Sequence, residues 1–182
     1  MTEQFLTNPT SNLATVFADD WFDEEKKIGI IGDAAHGIVP FYGQGMNAGF
    51  EDCSILFEQL QSGVGFENHF IDYANNRKKD TDAIAQLAID NFVEMRDLVA
   101  RPSFRLQKKI EARFQKEFPD TWMPLYTMVS FSNKPYAEVY NRGQVQQQIM
   151  NEILDLEDIE KKWSEPQLSS DIIAILTKYN VC

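Results

Sequence analysis

Cysteine, histidine and basic side chains are scarce in this chain, and each shortage closes off a class of function. Two cysteines, Cys53 and Cys182, make no disulfide framework and no metal spacing. The two histidines, His36 and His69, cannot form a metal site alone. Cys53 falls in a predicted helix and is expected to be a buried free thiol, which suits a reducing, cytoplasmic setting. Acids outnumber bases 28 to 17, for a formal charge of −11. A nucleic-acid or anionic-membrane partner calls for a basic patch, so neither is expected, and the acidity reads as a solubility device. No run of about 18 apolar residues occurs, so no membrane span is expected. The N-terminus has no basic segment leading into an apolar core, so no signal peptide is expected. There is no Ser-His-Asp set, no repeat and no low-complexity segment. What remains is a hydrophobic content of 43% over 182 residues, enough for the core of one ordinary domain.

The stretch Ile28–Leu60 organises the rest. Ile28-Gly29-Ile30-Ile31 is a short apolar run ending in Gly32-Asp33, as expected for a strand buried on both faces. A glycine-rich turn follows, Pro40-Phe41-Tyr42-Gly43-Gln44-Gly45, and a helix is predicted from about Gly45 to Leu60. Strand, glycine loop and helix together aim backbone N–H groups and a positive helix end at an anionic or electron-rich ligand. Gly43 and Gly45 let the backbone come close, Pro40 stiffens the entry, and Asp33 can accept hydrogen bonds from ligand hydroxyls.

Around this stretch, Met1–Asn12 reads as polar and loosely held, Leu13–Phe17 as a short strand, and Asp19–Lys27 as an acidic loop with Trp21 or Phe22 packed at its edge. Gly63 and Gly65 suit the end of the motif helix. Phe66–Asp80 reads as a helix with Phe66, Phe70 and Tyr73 on one side, closed by Arg77-Lys78-Lys79. Thr81–Val99 reads as a second helix with Ile84, Ala88, Met95 and Leu98 or Val99 on an apolar stripe that also contains Asn91. Pro102 opens the next helix, with Leu106, Ile110, Phe114 and Phe118 spaced four apart as core. Pro119–Ser132, including Tyr126, reads as irregular. Tyr136 to about Lys162 reads as one long polar helix, and Ile172–Tyr179 as a last short one.

Gly32-Asp33-Ala34-Ala35-His36, followed by Pro40 and Gly43-Gln44-Gly45-Met46-Asn47-Ala48-Gly49-Phe50-Glu51-Asp52, resembles the second FAD motif of the flavin-dependent aromatic hydroxylase family. Pro40-Phe41-Tyr42-Gly43-Gln44-Gly45-Met46-Asn47 is narrower and resembles the kynurenine-hydroxylating branch. Asn91-Phe92-Val93-Glu94-Met95-Arg96 and Pro124-Leu125-Tyr126-Thr127-Met128-Val129 continue the likeness, which runs from about Asn8 to Met150. The family's opening Gly-x-Gly-x-x-Gly unit, which holds the FAD pyrophosphate, has no counterpart here. The chain is therefore expected to correspond to a C-terminal portion, roughly two-fifths, of such an enzyme.

The resemblance implies an α/β, Rossmann-like FAD-binding fold of the aromatic hydroxylase type for the complete enzyme. This chain would contribute a mostly α-helical part with a few N-terminal strands. Residues 1–62 would carry the Gly-Asp motif, and 63–182 would form a helical region. The implied reaction is hydroxylation of L-kynurenine to 3-hydroxykynurenine, with FAD as cofactor and NADPH as co-substrate. Gly32, Asp33, Pro40, Gly43, Gln44, Gly45, Met46 and Asn47 would bind the flavin, with Asp33 on the ribityl chain. Phe41, Tyr42, Asn91, Met95 and Tyr126 would line the substrate pocket, and no essential protein nucleophile is expected. Implied protein partners are the missing N-terminal FAD-binding half and, as an option, a second copy in a homodimer. Eukaryotic relatives carry a C-terminal anchor. Here charges at Asp158, Glu160, Lys161, Lys162, Glu165, Asp171 and Lys178 break up the tail, so a soluble, bacterial-type enzyme is the better match. A non-catalytic remnant or interaction module, or another aromatic hydroxylase, stays open as an alternative.

Overall fold

Helices dominate the computed structural model, which describes residues 2–61 and 66–182. In chain order they are α1 (Thr2–Thr7), α2 (Asp33–His36), α3 (Gly45–Leu60), α4 (Phe66–Val93), α5 (Pro102–Glu117), α6 (Leu125–Phe131), α7 (Tyr136–Leu154), α8 (Ile159–Lys162) and α9 (Ser170–Lys178). Two short strands, β1 (Phe22–Asp23) and β2 (Ile28–Gly29), pair antiparallel between α1 and α2. No helix among the described residues is long and apolar enough to cross a membrane.

The axis of the molecule is α4. No glycine or proline falls between Phe66 and Val93, so nothing in the backbone stops the helix there. The break expected between Asp80 and Thr81 is absent. Thr81 is buried inside the helix, where its hydroxyl donates back to the Lys78 carbonyl at 3.1 Å. Arg77 and Lys78 are consequently mid-helix residues and not a basic terminus. The buried face of α4 carries Phe70, Tyr73, Arg77, Thr81, Ile84 and Ala88 at spacings of three and four. The side chain of Phe66, and Gly63 and Gly65, lie outside the described residues.

The helix ends in a π-helical turn, Glu94–Leu98, closed by the Val99 N–H on the Glu94 carbonyl. Arg101 is extended before Pro102, which starts α5 as expected. Ile110 and Phe114 of α5 join Trp122, Ile149, Met150, Ile153, Ile172 and Leu176 in one core. A second core joins Ile84 and Leu87 of α4 to Met128, Val129 and Val139. Helix α7 serves both cores, packing against α4 on one side and against α5 and α9 on the other. It meets α6 at Gly143, where a Cβ would come within 2.9 Å of Leu125 Cδ1.

Several expectations are corrected. The buried parallel strand Ile28–Ile31 is absent: β2 covers Ile28–Gly29 alone, Ile28 is 58% exposed and Ile31 is also exposed. A strand buried on both faces needs a neighbour on each side, and β1 is its one strand neighbour among the described residues. Leu13–Phe17 is not a strand either, although Val16 N–H bonds the Gly37 carbonyl and Ala18 N–H the Ala35 carbonyl. The N-terminal residues Thr2–Thr7 are helical. Tyr126 lies in α6, so only the stretch before Leu125 is irregular. The long helix from Tyr136 stops at Leu154, and Asp158 then takes a left-handed conformation before α8. Cys53 is exposed; its neighbour Asp52 is the buried residue at that turn of α3.

Candidate functional site

The turn at Gly32 begins the site. Gly32 has φ 60° and ψ −142°, a region that residues with a Cβ avoid. Asp33 follows as the first residue of α2. It is exposed, and its carboxylate makes no hydrogen bond or ion pair among the described residues. Beyond α2, Pro40 to Gln44 turn the chain through Gly43, at φ 68°, into α3.

The N-terminus of α3 is open. It has no acidic residue in its first turn and no side-chain cap. Gln44 stands at the cap position but is buried and turned aside. Its Oε1 accepts from Asn47 Nδ2 at 2.9 Å and from the Tyr136 hydroxyl at 3.1 Å. The first N–H groups of a 16-residue helix, with the positive end of its dipole, are thus left for an outside acceptor. Met46 projects there, 71% exposed.

One wall of this end is aromatic. The Tyr42 ring stacks on Tyr126 of α6 with centroids 5.6 Å apart, and Phe41 lies 4.6 Å from Phe92 of α4. Asn91 Nδ2 donates to the Phe41 carbonyl at 2.9 Å, so Asn91 holds the loop with one end of its amide and keeps Oδ1 for another partner. Burial, then the Glu94 and Asp90 carboxylates, push the Tyr42 phenol well above its ordinary range, so it stays a neutral donor. Met95 comes one turn after Asn91, in the π-helical turn. Met95 and Tyr126 are 45% and 56% exposed, so this wall faces open space. The fold therefore puts Asn91 on the Phe41 carbonyl and Tyr42 on the Tyr126 ring, with Met95 one turn beyond Asn91.

Beneath the turn lies a charged cluster that sequence reasoning missed. Asp52 of α3 is fully buried. Its Oδ1 accepts from Arg77 Nε at 2.7 Å, and its Oδ2 accepts from His36 Nε2 at 2.5 Å and from the Gly32 N–H at 3.1 Å. Arg77 Nη2 also donates to the Ala48 carbonyl and pairs with Glu51. Burial alone would raise the Asp52 carboxyl, but the hydrogen bonds from His36 and Arg77 outweigh it and hold it below its ordinary value. The available signal was Arg77's place on the buried stripe of α4, four residues from both Tyr73 and Thr81.

A sequence profile described as "FAD binding domain" matches residues 2–86. A kynurenine 3-monooxygenase of Cytophaga hutchinsonii is 46% identical over 98% of this chain and 40% of its own length. One from Flavobacterium psychrophilum is 47% identical over 97% of the chain and 39% of its own. One from Dictyostelium discoideum is 40% identical over 84% of the chain and 36% of its own. The chain thus spans about two-fifths of the length of the curated relatives it matches. At 46–47% identity over nearly its whole length, the chain belongs to the kynurenine 3-monooxygenase family.

Proposed function

We propose that this chain is the C-terminal portion of a flavin monooxygenase that converts L-kynurenine, O₂, NADPH and a proton to 3-hydroxykynurenine, water and NADP⁺. The observation that carries the reading is the meeting of three matched segments at one place. The turn at Phe41 and Tyr42, Asn91 on α4 and Tyr126 on α6 meet just ahead of the open end of α3. In this reading residues 1–62 carry the flavin motif and 63–182 the helical wall. The N-terminal half supplies the Gly-x-Gly-x-x-Gly turn, and the protein works in the cytoplasm.

The residues fit a flavin at its ring end. Among the described residues Asp33 is an unpartnered acceptor beside backbone that Gly32 and Gly43 leave bare, and α3 offers N–H groups with no competing cap. FAD, reduced by NADPH, supplies the oxygen activation and transfer. Asp33 accepts hydrogen bonds from the ribityl hydroxyls. The α3 terminus, at Gly45, Met46 and Asn47, favours negative charge at the pyrimidine edge. Phe41 and Tyr42 wall off the ring from water, while Asn91 Oδ1 and the Tyr126 hydroxyl face the amino-acid end of the substrate. The substrate's own ring amine activates the ring, so no protein nucleophile is needed. Exposed Leu13, Val16, Ile28 and Ile31 mark where the N-terminal half would sit, or a second copy in its absence.

Two substitutions in the complete enzyme test this. Asp33→Ala should weaken FAD binding by about 1.5–3 kcal/mol, roughly tenfold to over a hundredfold, as for loss of a charge-assisted hydrogen bond. Flavin affinity within twofold of wild type would remove Asp33 from the site. Tyr126→Phe should chiefly raise the half-saturating kynurenine concentration, by the ~0.5–1.5 kcal/mol of a neutral hydrogen bond. NADPH oxidation at varied kynurenine measures it; an unchanged dependence would return Tyr126 to a packing role against Tyr42.

A further inference from the structure

The Asp33 carboxylate has no partner among the described residues, so the turn that carries it is held through other groups. Helix α2 is four residues long and too short to persist alone. Asp52, from a different helix, grips it at both ends. Its Oδ2 takes the Gly32 N–H just before α2 and His36 Nε2 at the end of α2. Its other oxygen is fixed by Arg77, whose second nitrogen donates to Ala48, four residues into α3. The Asp52, Arg77 and His36 side chains are each no more than 2% exposed, and the His36 ring is braced by Trp21, 5.4 Å away. One carboxylate thus sets the spacing between Asp33 and the open N-terminus of α3.

The geometry points to Asp52, braced by Arg77 and His36, as the positioning residue that holds Asp33 in register with the α3 terminus for a flavin ribityl chain and ring; this rests on the function proposed above. A merely structural clamp would affect stability alone. A positioning residue acts through Asp33, and that difference can be measured.

The first arm needs no flavin. In the 182-residue chain, Asp52→Asn should move the Gly32 amide resonance from its carboxylate-bonded position and speed its hydrogen exchange at least tenfold. The second arm uses the FAD-loaded polypeptide containing this segment, at a temperature where each variant is folded. Asp52→Asn should raise the FAD dissociation constant tenfold or more. Combined with Asp33→Ala, it should add no more than about twofold, because the two act on one interaction. His36→Gln keeps a side-chain N–H for Asp52 and should stay within threefold of wild type, while His36→Leu should lose affinity as Asp52→Asn does. The His36 pair decides the matter if Asp52→Asn does not fold. An unmoved Gly32 amide overturns the inference, as do full additivity with Asp33→Ala and equal behaviour of the two His36 variants. A wild-type polypeptide that takes up no FAD fails the proposed function instead, and the Gly32 amide still decides whether Asp52 sets the turn.

Discussion

Purified by itself without added flavin, the 182-residue chain is expected to be colourless, with no absorbance in the flavin bands and no kynurenine-stimulated NADPH oxidation. Asp33 and the free N–H groups of α3 offer three or four hydrogen bonds to the ring end of the cofactor. With Asp33 at about 1.5–3 kcal/mol and the two or three N–H groups at about 0.5–1.5 kcal/mol each, they sum to roughly 2.5–7.5 kcal/mol, which corresponds to a dissociation constant of about a few micromolar at best. A flavin that survives purification needs about 8 kcal/mol or more. The missing share belongs to the pyrophosphate, which in dinucleotide-binding folds rests on a glycine turn and a helix N-terminus that this sequence does not contain. A chain of net charge −11 gives a dianionic group no general attraction either. The test is an absorbance scan of the purified chain. A yellow preparation with one flavin per chain would overturn both this expectation and the assignment of the chain as a portion of a larger enzyme.

What the sequence revealed of this site, and what it hid, divides along physical lines. Local chemistry was readable. The glycine turn, the start of α3 at Gly45 and the Pro102 start of α5 all follow from backbone preferences that need no neighbours. The core stripe Leu106, Ile110, Phe114 and Phe118 was readable for the same reason, since periodicity is a property of one helix. Features that depend on a partner element were not. Ile28–Ile31 looks like an interior strand because its composition suits one, yet the described residues offer it a single short neighbour. The α4 boundary was misplaced because Arg77-Lys78-Lys79 reads as a basic helix end when Asp52 is out of sight. Asn91 could be read as a polar residue on an apolar stripe, but its bond to the Phe41 carbonyl belongs to the tertiary fold. Cys53 and Asp52 differ by one position on α3, and which of them faces inward is decided by Arg77, 25 residues further on.

The buried cluster that escaped the sequence carries the second large effect. Asp52→Ala is expected to destabilise the chain by about 3–5 kcal/mol at pH 7, because it leaves the Arg77 guanidinium buried with only the half-exposed Glu51 to answer it. For a domain of ordinary stability, about 5–15 kcal/mol, that is a large share, and for a chain of this length it is a drop of roughly 6–20 °C in melting midpoint. The pH dependence has a definite sign. The folded Asp52 carboxyl lies below its ordinary value, so its contribution is present above the unfolded value of about 3.9 and is lost as pH falls through the folded value. The gap between wild type and Asp52→Ala should therefore be widest at neutral pH and close on the acid side of about pH 4. Pairing Asp52→Leu with Arg77→Met should cost less than either change alone, since no unpaired charge remains and two apolar side chains fill the space. The double variant would still lack an acceptor for the Gly32 N–H and for His36 Nε2. It should thus recover much of the melting midpoint without recovering the Gly32 amide resonance, which separates the stability of the cluster from its grip on the turn. Urea or thermal melts at pH 7 and pH 3 measure all of this. A loss at pH 7 below about 1 kcal/mol in Asp52→Ala, or a gap that widens toward acid, would show that the Asp52–Arg77 pair does not hold α3 to α4 as the distances imply.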